Sequence, residues 1–161
     1  MRSEESRIRS SFERRDASQV GLSALTFGRI RRDRPAGLAA GLDPSLLEGA
    51  APLVYRGAQI SPLGATQLRV SDSAIIYAEI CVPASSADAP TFQVRFVDRA
   101  TSTVRFGTDP AKASAYAVGS SIFPIALDAP LKQLGPGAYR VEVRAVAGAS
   151  STIAGLDFEV I

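Results

Sequence analysis

The residues from Tyr139 to Ala145 alternate strictly between apolar and charged side chains, in the stretch GAYRVEVRA that follows a Gly-Pro turn. Successive side chains of an extended chain point to opposite faces, so the tyrosine, the two valines and the alanine share one face. The arginines and the glutamate share the other. This period of two predicts a strand with one buried and one solvated side, and it argues against a helix over the same residues.

Short runs of similar β-type composition recur from Pro52 onward, separated by turn residues. They include LVYRGAQI, a long run from about Ala74 to Val82, a hairpin in TFQVRFVDRATSTVRF, and GSSIFPIALD. Pro124 within the last of these predicts an edge strand or a bulge. No helical pattern alternates with the runs. We therefore expect an all-β chain, an immunoglobulin- or fibronectin-III-like sandwich of about seven antiparallel strands.

The start of the alternating strand predicts a structural device. In such sandwiches the strand before the last often opens with a tyrosine whose hydroxyl bonds back to the preceding corner, the tyrosine corner. Leu134, Gly137 and Tyr139 have that layout. We expect these three residues to serve the fold rather than any chemistry.

The charge distribution suggests a division of the chain. Residues 1–34 carry nine arginines and five acidic residues, an excess of four positive charges, whereas the whole chain has a net charge of +2. We expect residues 1–40 to be a charged, flexible N-terminal arm, with room for one short strand over residues 22–27. Residues 41–161 are expected to form the β-sandwich domain.

The chain contains no histidine and one cysteine. Imidazole is the usual general base near neutral pH and the commonest metal ligand, so Ser-His-Asp, Cys-His and zinc Cys/His sites cannot be built from this chain. We expect no enzyme, no cofactor and no metal. Cys81 lies in the apolar run AIIYAEICVP, which predicts a buried, inert thiol.

No apolar run approaches the roughly 18 residues that a membrane-spanning helix needs. The N-terminus lacks the apolar core of a secretory signal. We therefore expect no membrane span, and the residues alone leave the compartment open.

Two groups of side chains are candidates for binding. An arginine cluster could contact an anion, although the scarcity of aromatic residues around it argues against nucleic acid and favours a solvated linker. Four aspartates at strand ends could bind calcium or a small ligand, but turn formation also explains them. Tyr116 is one further candidate for a surface contact. The candidate anion contacts are Arg29, Arg31, Arg32 and Arg34, and the strand-end acids are Asp72, Asp98, Asp109 and Asp128.

Several stretches together resemble a known module. LVYRGAQISP, IIYAEICVP, FQVRFVDRATSTV and LKQLGPGAYRVEVRAV, followed by LDFEV, are similar to the C-terminal β-domain of von Willebrand factor A-domain-related proteins described from acidobacteria. The likeness covers roughly residues 40–161. The A domain itself is missing: Asp72-Ser73-Ala74 and Asp43-Pro44-Ser45 do not continue its DxSxS motif, so no metal ligand is carried over. The resemblance implies a detached or truncated accessory β-sandwich of an envelope or secreted parent.

These observations lead to one expected function and two alternatives. We expect a non-catalytic accessory module that mediates protein–protein contacts or spaces domains in a larger bacterial envelope or secreted system. Its partner would be another protein or a tethered domain, and a partner strand could add to an exposed edge near Pro124. The alternatives are a polyanion-binding protein acting through residues 29–34, and a small ligand-binding domain that uses the strand-end carboxylates.

Overall fold

The computed structural model describes residues 18–31, 53–56, 58–83, 86, 88–115 and 119–161, and the regular structure in them is almost entirely β. One helical turn, α1 (Leu131–Leu134), precedes the penultimate strand. No helix among these residues has the length and apolar character needed to cross a membrane. The strand segments are β1 (Gly21–Leu22), β2 (Thr26–Arg31), β3 (Leu53–Tyr55), β4 (Ala58–Pro62), β5 (Gln67–Leu68), β6 (Ile75–Cys81), β7 (Thr91–Asp98), β8 (Val104–Gly107), β9 (Ala111–Lys112), β10 (Ile122–Asp128), β11 (Gly137–Ala147) and β12 (Ser150–Val160).

These segments form two sheets of six strands each. In the first sheet β6 is central: β10 pairs with one side of it, and β1 and β2 with the other, followed by β4 and β3. The second sheet has the order β5–β12–β11–β7, with β8 and β9 both on the far side of β7. All the strand pairs are antiparallel except β5 with β12, which is parallel. The prediction of an all-β chain is confirmed.

The described segments outnumber the strands predicted, because bulges and a turn divide the expected runs. β1 and β2 pair with the same strand, but the register shifts between Leu22 opposite Ile80 and Thr26 opposite Tyr77. At the bulge the Ser23 hydroxyl accepts the Glu79 N–H at 2.8 Å. β8 and β9 are likewise interrupted at residues 108–110.

The run LVYRGAQI is a hairpin rather than the single strand that its composition predicts. β3 and β4 pair with Tyr55 opposite Ala58, so the chain reverses within two residues. Arg56 takes a positive φ of 49°, as tight hairpin turns require. The parallel β5–β12 pair also departs from the purely antiparallel arrangement we expected.

Residues 20–31 belong to the first sheet and to the core rather than to an N-terminal arm. Four of their side chains, Val20, Leu22, Leu25 and Phe27, are buried in the main cluster. Most of the charge excess that suggested an arm lies at residues 29–34, with four arginines and one aspartate, and these residues overlap the end of β2. Residues 1–17 and 32–52, which make up the rest of the predicted arm and the start of the predicted domain, lie outside the described residues.

The main core is formed by side chains of both sheets. From β11, Val141 and Val143 are fully buried, as the period of two predicts, and from β6 Ile80 is fully buried. Phe158 packs edge-on against Phe27 of the other sheet, with ring centroids 5.0 Å apart. At about 1.5–3 kcal/mol for each large apolar side chain, this burial is the main stabilising term.

β6 is apolar on its other face as well. Ile75 and Tyr77 form a second cluster with Ile60, and Tyr55 and Ala126 pack against it. A strand covered on both sides needs no polar face, which explains the nearly continuous apolar run AIIYAEIC. Gly28 lies against this cluster, where a Cβ atom would come 2.5 Å from Cγ2 of Ile60 and 3.1 Å from the carbonyl oxygen of Ser61.

The corner before β11 is closed by Tyr139. Its hydroxyl donates a 2.6 Å hydrogen bond to the carbonyl oxygen of Leu134, the last residue of α1, and the ring is buried. Gly137 lies directly under the ring, since a Cβ atom there would be 3.2 Å from the hydroxyl oxygen. The Leu134, Gly137 and Tyr139 layout thus corresponds to one hydrogen-bonded unit.

We predict that Gly28→Ala destabilises the chain by about 1–3 kcal/mol, because part of the clash is with backbone that cannot move aside. Gly107→Ala is the matched control: its Cβ atom would meet nothing closer than 3.8 Å, so we expect a change within about 0.5 kcal/mol. Urea unfolding monitored by circular dichroism gives both values. Equal stabilities of the two variants would contradict the packing described here.

We also predict that Tyr139→Phe lowers the free energy of unfolding by about 1–3 kcal/mol, because it leaves the buried Leu134 carbonyl without its donor. Tyr55→Phe makes the same chemical change at a half-buried ring that contacts the Arg56 guanidinium, and should be nearly neutral. If both substitutions cost the same, the corner hydrogen bond contributes nothing specific.

Candidate interaction surface

Among the described residues, the last strand has one unpaired side over most of its length. β12 pairs with β11 from Ser150 to Val160, but on its other side the described part of the chain pairs only Glu159 and Val160, with β5. Glu159 and Ile161 donate their N–H groups towards β5, so the odd-numbered residues direct their backbone groups away from β11. Backbone direction alternates along a strand, so residues 151, 153, 155 and 157 direct theirs to the unpaired side. We call residues 151–157 the open window.

The open window lacks most of the features that usually protect a sheet edge, and Asp157 at one end is its only charged residue. It contains no lysine, no proline and no bulge, and its sequence is STIAGLD. Ile153 at its centre is 57% exposed. Sequence reasoning missed this edge, because it treated the segment only as a closing strand. The signal available was the absence of lysine and proline from a β-type run.

The other long edge is protected. β10 pairs with β6 alone among the described residues, so Pro124 lies in an edge strand, as its sequence position predicts. The odd-numbered residues flanking β10 bond towards β6: Ser121 accepts from Val82, and Ala129 donates to Ala74. The even-numbered Pro124 therefore faces the unpaired side, where it offers no N–H group. The edge near Pro124, which we expected to receive a partner strand, is for this reason a poorer template than the open window.

Charged side chains cover the outer face of the second sheet beside the open window. Arg140 pairs with Asp157 at 2.8 Å, and its guanidinium crosses Gly155, where a Cβ atom would come 2.5 Å from Nη2. Glu142 joins the same network through Nε of Arg140, at 3.8 Å, and also pairs with Arg95 at 3.1 Å. Such exposed pairs contribute little stability each, so their effect is to order this surface.

The inner side of the open window is apolar. Ala154 and Leu156 are partly buried and pack against the main core cluster. An incoming strand would thus meet free backbone groups along the edge, apolar side chains on the inner side, and Ile153 with the charged network on the outer side.

The predicted arginine cluster is described only in part. Arg29 lies in β2, with its guanidinium 57% exposed and 3.7 Å from the Asp72 carboxylate. Arg31 ends β2 opposite Gln59, but its side chain lies outside the described residues, as do Arg32 and Arg34. The described part of the chain therefore brings no group of arginines together at this position.

Two of the four candidate acids have clear local roles. The Asp72 carboxylate accepts the N–H of Arg69 at 2.8 Å. The Asp98 carboxylate accepts the N–H of Ala100 at 2.8 Å, closing the turn between β7 and β8. These are the hydrogen bonds of turn-forming aspartates.

Asp72 and Asp128 also meet in an open cleft of about 760 Å³ that Arg29 and Lys132 line as well; Asp98 and Asp109 are not part of its lining. Across the described ranges, no three His, Cys, Asp or Glu side chains are arranged to hold a metal ion. Tyr116, the remaining surface candidate, lies outside the described residues.

Cys81 ends β6 and is only partly buried, which corrects the expectation of a buried thiol. Side chains alternate along the strand, so Cys81 lies on the same face as Ile75 and Tyr77, away from the core between the two sheets. Burial raises the pKa of the thiol above its usual value, a hydrogen bond with Ser121 lowers it, and the Glu79 carboxylate raises it again. The net shift is upward, so the thiol stays protonated at neutral pH.

No protein-family model and no curated protein matches this chain. The likeness to the β-domain of the von Willebrand factor A-domain-related proteins therefore stays a prediction. The fold and the open window are the observations from which a function can be argued.

We predict that Cys81 in the folded chain reacts with a disulfide reagent more slowly at pH 8 than it does in the urea-unfolded chain. The thiolate is the reactive form, and a raised pKa reduces its fraction. The rate should rise about ten-fold per pH unit while the pH is below the raised pKa, and it should level off at a higher pH than in the unfolded chain. Equal rates for the folded and unfolded chains at pH 8 would contradict this.

Proposed function

We propose that this chain is a non-catalytic accessory module with an immunoglobulin- or fibronectin-III-like sandwich fold. The strand order supports the assignment: β10–β6–(β1, β2) in one sheet and β12–β11–β7–(β8, β9) in the other. The tyrosine hydrogen bond at the start of the penultimate strand supports it as well. The segments β3, β4 and β5 are then an insertion between the first and second principal strands. The family resemblance adds an envelope or secreted parent as the setting.

The module makes its protein contacts by strand addition along the open window. This proposal is carried by one observation: four alternate residues of β12, at positions 151, 153, 155 and 157, direct their backbone groups to a side on which the described part of the chain places no neighbouring strand. In strand addition the main-chain hydrogen bonds supply affinity, at about 0.5–1.5 kcal/mol net each, and alternate side chains supply specificity. No catalytic side chain is needed, in keeping with the composition.

The alternatives have less support. The polyanion hypothesis depends on four arginines, of which the described residues place only the Arg29 guanidinium, and that group already lies beside Asp72. The small-ligand hypothesis depends on the cleft containing Asp72 and Asp128. Of these two carboxylates, Asp72 is held by its own turn.

The test is selection of binding peptides. We would select extended peptides of about 12 residues from a displayed library on the whole chain, and measure the affinity of the best binders by calorimetry. Ile153→Pro removes a donor on the open side and leaves the β11–β12 ladder intact, because the Ile153 N–H points away from β11. We expect this variant to bind the selected peptides at least ten-fold more weakly.

A matched pair of lysine substitutions controls for exposure and charge. Ile153→Lys protects the edge, whereas Val104→Lys makes the same change at a comparably exposed residue, 51% against 57%, on another strand. Weaker binding is expected only for the substitution in the open window, with unchanged thermal unfolding for both. Peptides that bind all the variants equally would rule out the open window as the contact site.

A further inference from the structure

We infer that the open window pairs with the open window of a second copy of this chain. The two strands would be antiparallel and related by a two-fold axis through Ala154. This inference rests on the proposed function, because it requires that the open window accept a strand. It adds the identity of the occupant and its register.

The ends of the open window define this register. At one end the β11–β12 turn, Gly148–Ala149, precedes the strand; at the other end β5 takes up the edge from Glu159 onward. With the axis at Ala154, the turn of one copy falls opposite Glu159 of the other, where β5 already occupies the edge. Both windows are then paired along their whole length. A shifted register would leave backbone groups unpaired at one end and direct the strand into β5 at the other.

The backbone groups match in this register. Residue 151 lies opposite 157 and residue 153 opposite 155, so the outward-facing residues of one copy meet those of the other. Such pairs exchange both their N–H and C=O groups, which gives about eight hydrogen bonds across the two-fold axis. The second sheets of the two copies would join along this edge, and residues 151–157 of each copy would no longer be unpaired.

The outer-face side chains are complementary in the same register. Ile153, the exposed apolar residue, faces Gly155 of the second copy, which has no side chain of its own and is crossed by the Arg140 guanidinium of that copy. Ser151 faces Asp157, so a hydroxyl donor meets a carboxylate, and no two like charges lie directly opposite each other. On the inner side Ala154 faces its own counterpart, and residue 152 faces Leu156.

The first test is the mass of the chain in solution. Sedimentation equilibrium of the whole chain should show a monomer–dimer transition between about 1 and 100 µM. Ile153→Pro should remain monomeric over this range, and Val104→Lys should associate as the parent chain does. A parent chain that stays monomeric at about 100 µM, or association that Ile153→Pro leaves unchanged, would overturn the inference.

The second test is the register itself, measured in a Cys81→Ser background. Residues opposite each other in a non-hydrogen-bonded pair have Cα atoms about 4.5 Å apart, within the range that a disulfide spans. Ala154→Cys should therefore form a covalent dimer on mild oxidation. Thr152→Cys, on the same inner side, should not, because the two-fold axis places residue 156 opposite it. Equal crosslinking of the two variants would rule out the axis at Ala154.

The two proposals can fail separately. A chain that stays monomeric while binding selected peptides in a manner sensitive to Ile153→Pro contradicts the second copy as occupant and supports strand addition. Peptide binding that is insensitive to Ile153→Pro contradicts strand addition itself, whatever the mass in solution.

Discussion

Two sheets can enclose a dry core only if, along each strand that faces it, apolar residues occupy every second position, so that they all point to the same side. Val141 and Val143 of β11 are fully buried, while Arg140 and Arg144 on the same strand are exposed. A slip of one residue would exchange these two faces, so the register is strongly specified wherever one side is buried. Leu22 and Phe27 are five positions apart, an odd spacing that would place them on opposite faces of a regular strand. The bulge at Ser23 shifts the register by one residue, so both side chains reach the core.

The same constraint produces the open window. A pair of open sheets has edges, and each must be paired, shortened or protected. β5 protects the edge of β12 only at its C-terminal end, because the chain arrives there from the other sheet. Leu63 is still bonded to Phe27 of β2, and Gly64, with a φ of 63°, turns the chain across to β5. The crossing brings too few residues alongside β12 to cover it, and among the described residues the rest of the edge is unpaired.

Recognition through such an edge depends on backbone groups rather than on a set of reactive side chains. This agrees with a composition that lacks histidine and tryptophan and has a single cysteine whose pKa is raised. Among the side chains that resembled chemical motifs, Asp72 and Asp98 hold turns and Arg29 forms a surface ion pair. Strand addition needs an absence of protecting residues, and an absence gives no motif to recognise.

The sequence by itself determined which residues face inward, because side-chain direction in an extended chain is a local property. The all-β class and the buried face of β11 could be predicted on that basis. The layout of Leu134, Gly137 and Tyr139 was predicted from the corner that sandwiches commonly use, and the edge position of Pro124 from its missing N–H group. Only the tertiary structure decided which strand lies beside which. The insertion of β1 and β2 beside β6, the parallel pairing of β5 with β12, and the open window depend on contacts between distant residues, such as the Val20 N–H with the Ser150 hydroxyl. Period-two patterning specifies a face but leaves the neighbour open, because many strands present the same alternation and only their joint packing selects the pairs.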